Sequence, residues 1–283
     1  MIMNLLNLLK YNQYLLRKAA LTIAFRIFVA HLCLCLFNTN SIIWAMQEEE
    51  AENIVSIHSS VPINFVHKKD QSQIIVIIDA FRAFTTASYV LENHPASYTI
   101  AVESTVISRL SSGYTNPLLI GKPEKDSTLS YNIPNSPTRV LEMEIKDQHV
   151  FHRTAAGARG LLLAREADIV LAASFANIEA TAQYIKNIPN SRVSIIPMGH
   201  EATTPSLEDN LCAEYLKALL KEEEMNLTSY LPALREGSGA YFFSQDQWQY
   251  PREDFDRCLK IGQFNFAIQA LVQENYATLR RID

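Results

Sequence analysis

The chain has no basic cluster: no run of cations is longer than the pair Arg280-Arg281, and 25 lysines and arginines face 30 acids for a formal net charge of −5. Nucleic-acid phosphates demand a basic footprint, so a nucleic-acid partner is excluded. The four cysteines make no framework either. Cys33 and Cys35 sit in an apolar N-terminal run, Cys212 and Cys258 stand alone in the body, and no C-x-x-C pair offers a zinc site. Several catalytic signatures are also missing. There is no G-x-G-x-x-G and no G-x-S-x-G, and Gly121-Lys122-Pro123 has neither the glycine lead nor the hydroxyl of a P-loop. His200-Glu201 opens an H-E-x-x-H pattern that ends on Thr204, which removes the zinc-protease reading. A small anionic ligand stays compatible with the charge, because a few arginines, helix N-termini and a metal can build a local positive site.

What is present is an ordinary globular composition, 283 residues with 48% hydrophobic and 19% charged. It is enough for one substantial core, with room for a two-lobed arrangement. Residues 1–46 differ from the rest. Lys10, Arg17 and Lys18 precede an apolar stretch from Ala19 to Phe37, interrupted by Arg26 and His31. A basic start, a short apolar segment and Ala45 resemble a secretory signal, although Ile43 is a poor residue three positions before a cleavage point. As a membrane span, residues 19–37 are barely long enough, and a central arginine costs roughly 2.5–3.5 kcal/mol. A third reading starts translation at Met46. The chain therefore divides into an extension, 1–50, and a body, 51–283. The body is expected to be cytoplasmic, the alternative being export or membrane anchoring through residues 1–45.

From Gln73 the pattern becomes regular. Ile74–Ile78 is a continuous branched apolar run, the mark of a strand covered on both faces. Helical spacing follows over Phe81–Leu91, then a strand at Tyr98–Val102, a short helix at Val106–Leu110 and a strand at Pro117–Ile120. Beyond a loop rich in Ser, Pro and Asn come a strand at His149–His152 and a helix at Ala156–Glu166. Asp168–Ala173 and Arg192–Pro197 read as strands, Ala176–Ile188 and Ser206–Glu224 as helices, and Asp254–Leu259 and Phe264–Leu279 as two more helices. Such alternation predicts an α/β fold, three layers α/β/α around a largely parallel or mixed sheet.

In open α/β sheets ligands sit at the carboxyl ends of the strands. Four strand-to-helix junctions here carry related chemistry: Asp79 to Thr86, Arg153 to Gly157, Ser174 to Asn177, and Gly199 to Asp209. Together they offer arginines, hydroxyls, an amide, carboxylates and helix N-termini, the parts that hold an oxyanion and a divalent cation. Each piece has a structural explanation as well. Asp79 suits a helix cap, Ser206-x-x-Asp209 has the form of a capping box, and Ser174 and Asn177 fit a cap and the helix turn after it. Arg82 and Arg153 can be surface cations, and Thr85 and Thr86 can lie on a helix face. Glu208 is one residue off the cap and is explained by none of these.

The body resembles the 2-phosphosulfolactate phosphatase family, enzymes of coenzyme M biosynthesis in methanogens with relatives elsewhere. The resemblance runs in order over about residues 73–270. It rests on Asp79-x-x-Arg82-Ala-x-Thr85-Thr86, Asn135-Ser136-Pro137, the turn at Thr154–Gly157, Ser174-Phe-x-Asn177, Leu207-Glu208-Asp209, and Asp256-x-Cys258-Leu259 followed by Phe264-x-Phe266. It implies Mg²⁺-dependent hydrolysis of a small phosphorylated acid, 2-phosphosulfolactate to sulfolactate and phosphate. Mg²⁺ would be held by Asp79, Glu208 and Asp209. Arg82 and Arg153 would neutralise the phosphoryl oxygens, with Thr85, Thr86, Asn135, Ser136, Thr154, Gly157, Ser174 and Asn177 binding substrate. Departures from the family pattern are Pro134 in place of a glycine, Tyr131-Asn132 in place of Phe-Asp, and Ala155, Ala156 and Ala158 in a turn usually rich in hydroxyls. The alternatives are a phosphatase acting on another small phosphate ester and a non-catalytic anion-binding domain of the same fold; a homodimer is left open.

Overall fold

The structure is a computed structural model, and it describes residues 54–57, 72–124 and 127–283. The extension read as a signal, an anchor or an untranslated leader lies outside the described residues. Among the described residues no helix is long and apolar enough to cross a membrane.

Among the described residues nine strands form a single mixed sheet: β1 (Ile54–Ile57), β2 (Ser72–Ile78), β3 (Ser97–Ala101), β4 (Leu118–Ile120), β5 (His149–Arg153), β6 (Ile169–Ala173), β7 (Ser191–Pro197), β8 (Ala267–Val272) and β9 (Tyr276–Ile282). Their spatial order is β1-β7-β2-β6-β8-β9-β3-β5-β4. The group β1-β7-β2-β6 is parallel throughout, and so is β3-β5-β4. The β8–β9 hairpin joins the two groups through antiparallel pairings on both of its sides. The two parallel groups thus belong to one continuous sheet rather than to separate lobes.

β2 shows why the sheet has two covered faces. Side chains alternate along a strand, so Ile75 and Ile77 enter one apolar cluster while Ile74, Val76 and Ile78 enter another. The first cluster is completed by helices α1 (Ala83–Glu92) and α4 (Ala156–Leu163), through Phe84, Ala87, Val90 and Leu161. On the other face α5 (Ile178–Lys186) and α6 (Leu207–Leu220) pack through Ile178, Ile185, Leu211 and Leu216. Helix α2 (Ser104–Ser111), the short α3 (Pro137–Val140), α7 (Leu231–Glu236) and α8 (Glu253–Cys258) sit in the connections. Cys212 and Cys258 are free buried thiols, and burial pushes both well above the usual thiol range.

One expected element is corrected. The segment Phe264–Leu279 is not a helix; most of it belongs to the β8–β9 hairpin, with Ala270 opposite Leu279 and Val272 opposite Ala277. Ala267, Ala270 and Leu271 mimic helical spacing. Yet along β9, Ala277 and Leu279 turn inward while Thr278 and Arg280 turn outward, which is period two. The strand β1 was not expected at all; its four residues are too short to carry a pattern of their own and are fixed by pairing with β7.

Candidate active site

The end of β2 places Asp79 between its two neighbours. The Asp79 N–H donates to the Ala173 carbonyl at the end of β6, and the Met198 N–H beyond β7 donates to the carbonyl of Ile78. Asp79 is 6% exposed, its Oδ1 accepting the Ala83 N–H at 3.1 Å at the start of α1. The cap-like role and a place on a cavity wall are therefore both realised. Gly157 packs against this carboxylate closely: a Cβ there would lie 2.9 Å from Asp79 Oδ2 and 3.0 Å from Phe84 Cζ.

On the far side, β7 leads into Gly199, whose φ of +65° is accessible to glycine at little cost and whose added Cβ would collide with the Thr204 carbonyl. This turn delivers the chain to α6. Ser206 makes no side-chain cap bond there. Asp209 instead clips the sheet together, its Oδ1 accepting the Ala80 N–H at 2.8 Å and its Oδ2 the Gly199 N–H at 2.8 Å. Glu208 stands beside it, 6% exposed, with Oε2 buried and unpartnered.

These junctions border a cavity of about 750 Å³, a size typical of small-molecule sites. Of the residues singled out in the sequence, Asp79, Arg82, Asn135, Thr154, Glu208 and Asp209 line it. Arg82 Nη1 donates to Asp254 Oδ2 at 2.7 Å and to the Gln249 carbonyl at 2.9 Å, while its Nε and Nη2 have no acceptor among the described residues. The guanidinium lies 5.0 Å from the Tyr250 ring centroid and 5.7 Å from that of Phe242. Four buried oxygens on residues of the wall have no hydrogen-bond partner among the described residues: Asn135 Oδ1, Ser206 Oγ, Glu208 Oε2 and Ser238 Oγ.

The other sequence candidates do not line the cavity. Arg153 donates to the carbonyls of Val102 and Lys122 and to Glu124 Oε1 at 2.9 Å, so its guanidinium closes the ends of β3, β5 and β4 and is not on the cavity wall. Asn177 Oδ1 accepts the Ser174 N–H and its Nδ2 donates to the Ala172 carbonyl, and Ser174 is buried with it. Thr85 donates to the Ala80 carbonyl, and Thr86 is buried within α1. Ser136 caps α3 by accepting the Arg139 N–H at 3.2 Å. Tyr241, Tyr250 and Ser238 line the cavity without having been expected. They belong to a stretch with no strand or helix period from which a common face could be read.

The electrostatics follow from burial. It pushes the Asp79 carboxyl up to about 6, the Glu208 charge adding to the rise while the Ala83 N–H and Arg82 oppose it. Burial, reinforced by Asp79 and Glu208, holds Asp209 well above the usual carboxylate range. Three acids within electrostatic reach are costly unless a cation or protons neutralise them. Among the described residues no three His, Cys, Asp or Glu side chains group as a ready metal site. Mg²⁺, however, is commonly held by one or two carboxylates plus substrate phosphate and water. Asp79 and the open Oε2 of Glu208 fit that requirement, while Asp209 is committed to the backbone.

Fold and cavity together define an α/β protein with an acid-lined, arginine-flanked pocket at strand ends, a donor set suited to a small anion and a divalent cation. The chain belongs to the 2-phosphosulpholactate phosphatase family, whose model matches residues 61–235. Among its relatives, the probable 2-phosphosulfolactate phosphatase of Bacillus subtilis (strain 168) is 25% identical over 222 residues, 76% of this chain and 95% of that protein. The protein of the same description from Parasynechococcus marenigrum (strain WH8102) is 28% identical over 189 residues, 66% of this chain and 75% of the relative.

Proposed function

We propose that this protein is a Mg²⁺-dependent phosphatase that hydrolyses a small phosphorylated acid, 2-phosphosulfolactate, to sulfolactate and phosphate. The observation that carries the reading is the set of unsatisfied groups on one cavity wall. A buried polar atom without a partner costs about 1–3 kcal/mol, and four such oxygens with the free Nε–Nη2 edge of Arg82 await a ligand. An anion with several oxygens, accompanied by a cation, satisfies both donor and acceptor types at once. Family membership and the names of the relatives supply the phosphate ester.

In this reading Arg82 presents its free edge to two phosphoryl oxygens in the forked geometry that guanidinium favours. The hydroxyls of Ser206, Ser238 and Thr154 and the side chain of Asn135 orient the rest of the acid. Asp79 and Glu208 would hold Mg²⁺, which supplies Lewis-acid stabilisation of the charge that builds on phosphoryl oxygen when bound. Water adds to phosphorus and gives up a proton, the ester P–O bond breaks, and the leaving alkoxide takes up one proton, so that the alcohol and phosphate balance the ester and water. Arg82, buried beside aromatic rings, acts in a poorly screened setting where its charge on the phosphoryl group is strengthened. The free thiols Cys212 and Cys258 accord with a reducing, cytoplasmic setting.

The test is phosphate release from a panel of phosphorylated hydroxy acids, with 2-phosphosulfolactate among them, in Mg²⁺ and in EDTA. Selective release from 2-phosphosulfolactate supports the assignment. Release from another member alone moves the substrate, and release from none removes the enzyme reading.

A further inference from the structure

Asp254 lies far from Arg82 in the chain yet is its salt-bridge partner among the described residues. It is completely buried on α8, whose Phe255 and Cys258 are fixed in the apolar core. Both of its oxygens are directed. Oδ2 accepts from Arg82 Nη1 at 2.7 Å, and Oδ1 accepts the backbone N–H of Thr138 at 2.9 Å. Thr138 is held a second time, its Oγ1 accepting from Arg257 Nε at 3.1 Å. This residue is in the first turn of α3, immediately after the Asn135-Ser136-Pro137 turn that brings Asn135 to the cavity. One carboxylate thus ties together two separate parts of the wall, the Arg82 guanidinium and the Asn135 turn.

We propose that Asp254 is a positioning residue: it holds the Nε–Nη2 edge of Arg82 and the side chain of Asn135 in the geometry that receives the phosphoryl group. The inference rests on the function proposed above. Stability alone is a poor reason for this pair, because buried ion pairs are often replaceable by apolar residues at no cost. Orientation is a better one. With Nη1 shared between Asp254 and the Gln249 carbonyl and the guanidinium packed by Tyr250 and Phe242, rotation of the fork is blocked and its opposite edge is left for the ligand.

The experiment uses the full chain and two substitutions. Asp254→Asn is isosteric, but both neighbours of Asp254 are donors, so its amide NH₂ necessarily faces one of them. Asp254→Glu keeps the charge and displaces it by a methylene. Inorganic phosphate affinity is read by calorimetry, alongside kcat, KM and thermal melting, for each variant, for Arg82→Ala and for the double variant Arg82→Ala/Asp254→Asn. Each Asp254 variant is expected to lose about 100-fold in kcat/KM and to bind phosphate more weakly in proportion. Asp254→Asn should cost less in the Arg82→Ala background than in the wild type, because only its hold on the Asn135 turn is then left to lose. A lowered melting point with unchanged phosphate affinity and kcat/KM in either folded variant overturns the inference, as does full additivity in the double variant. The wild-type arm separates the two readings. A wild-type chain that turns over while the variants match it refutes only the positioning role, whereas a wild-type chain that neither binds phosphate nor turns over refutes the proposed function and this inference with it.

Discussion

Replacing Asp79 by asparagine removes a buried negative charge while keeping the oxygen that accepts the Ala83 N–H. The carboxyl moves from 3.8 in the unfolded chain to about 6 in the folded one, a difference of about 3 kcal/mol. The direction is fixed by linkage. Below pH 3.8 the group is protonated in both states and costs nothing. As pH rises toward 6 the unfolded chain gives up the proton first, so the folded state loses stability relative to it, and above 6 the loss is complete. In EDTA at pH 8, Asp79→Asn should therefore be more stable than wild type by about 3 kcal/mol. Near pH 3.5 the two should be nearly equal. Urea unfolding followed by far-UV circular dichroism measures both values. Mg²⁺ should then raise the wild type more than the variant, which keeps only Glu208 as an anionic ligand, since a ligand stabilises only the state that binds it. Equal stability of the two proteins at pH 8 without metal would refute the claim that Asp79 is held charged at a cost, and with it the reason for placing a cation beside it.

Arg82→Ala leaves Asp254 buried without its counter-ion and should cost about 3–5 kcal/mol of stability, together with nearly all turnover. Arg82→Lys restores a charge beside Asp254 and should recover most of the melting temperature but not kcat/KM per folded molecule. Gly157→Ala puts a methyl 2.9 Å from Asp79 Oδ2; urea denaturation should show a loss of about 1–3 kcal/mol, with kcat/KM falling further than stability. A chain beginning at Met46 retains every described strand and is expected to unfold in one cooperative transition, whereas aggregation of that chain alone would show that the extension is needed for folding.

Much of the fold was legible because β2 announces itself. Five consecutive branched apolar residues, Ile74–Ile78, have no amphipathic face and must be covered on both sides, which requires layers. The β8–β9 hairpin was not legible. Its turn around Gln273 and Asn275 has no glycine or proline, and Ala267, Ala270 and Leu271 mimic helical spacing. At the site, Asp79, Arg82, Asn135, Thr154 and Glu208 were placed together because they follow strand ends or stand in short motifs. Arg153 and Asn177 have the same local signature, yet their donors and acceptors are consumed by neighbouring backbone. Nothing in sequence distinguishes a side chain that faces the ligand from one that holds the frame. Asp254 escaped for a related reason: its partners Arg82 and Thr138 are both over a hundred residues away.

The most direct measurement is phosphate release from 2-phosphosulfolactate by wild type and by Glu208→Gln across a Mg²⁺ titration beginning in EDTA. Glu208 Oε2 is a buried carboxylate oxygen with no hydrogen-bond partner among the described residues, and neutralising that carboxylate removes one of two anionic ligands. No release is expected in EDTA, with restoration by Mg²⁺ in the wild type and a half-saturating Mg²⁺ concentration about tenfold or more higher in the variant. Full wild-type activity in EDTA, or superimposable Mg²⁺ curves for the two proteins, would contradict it.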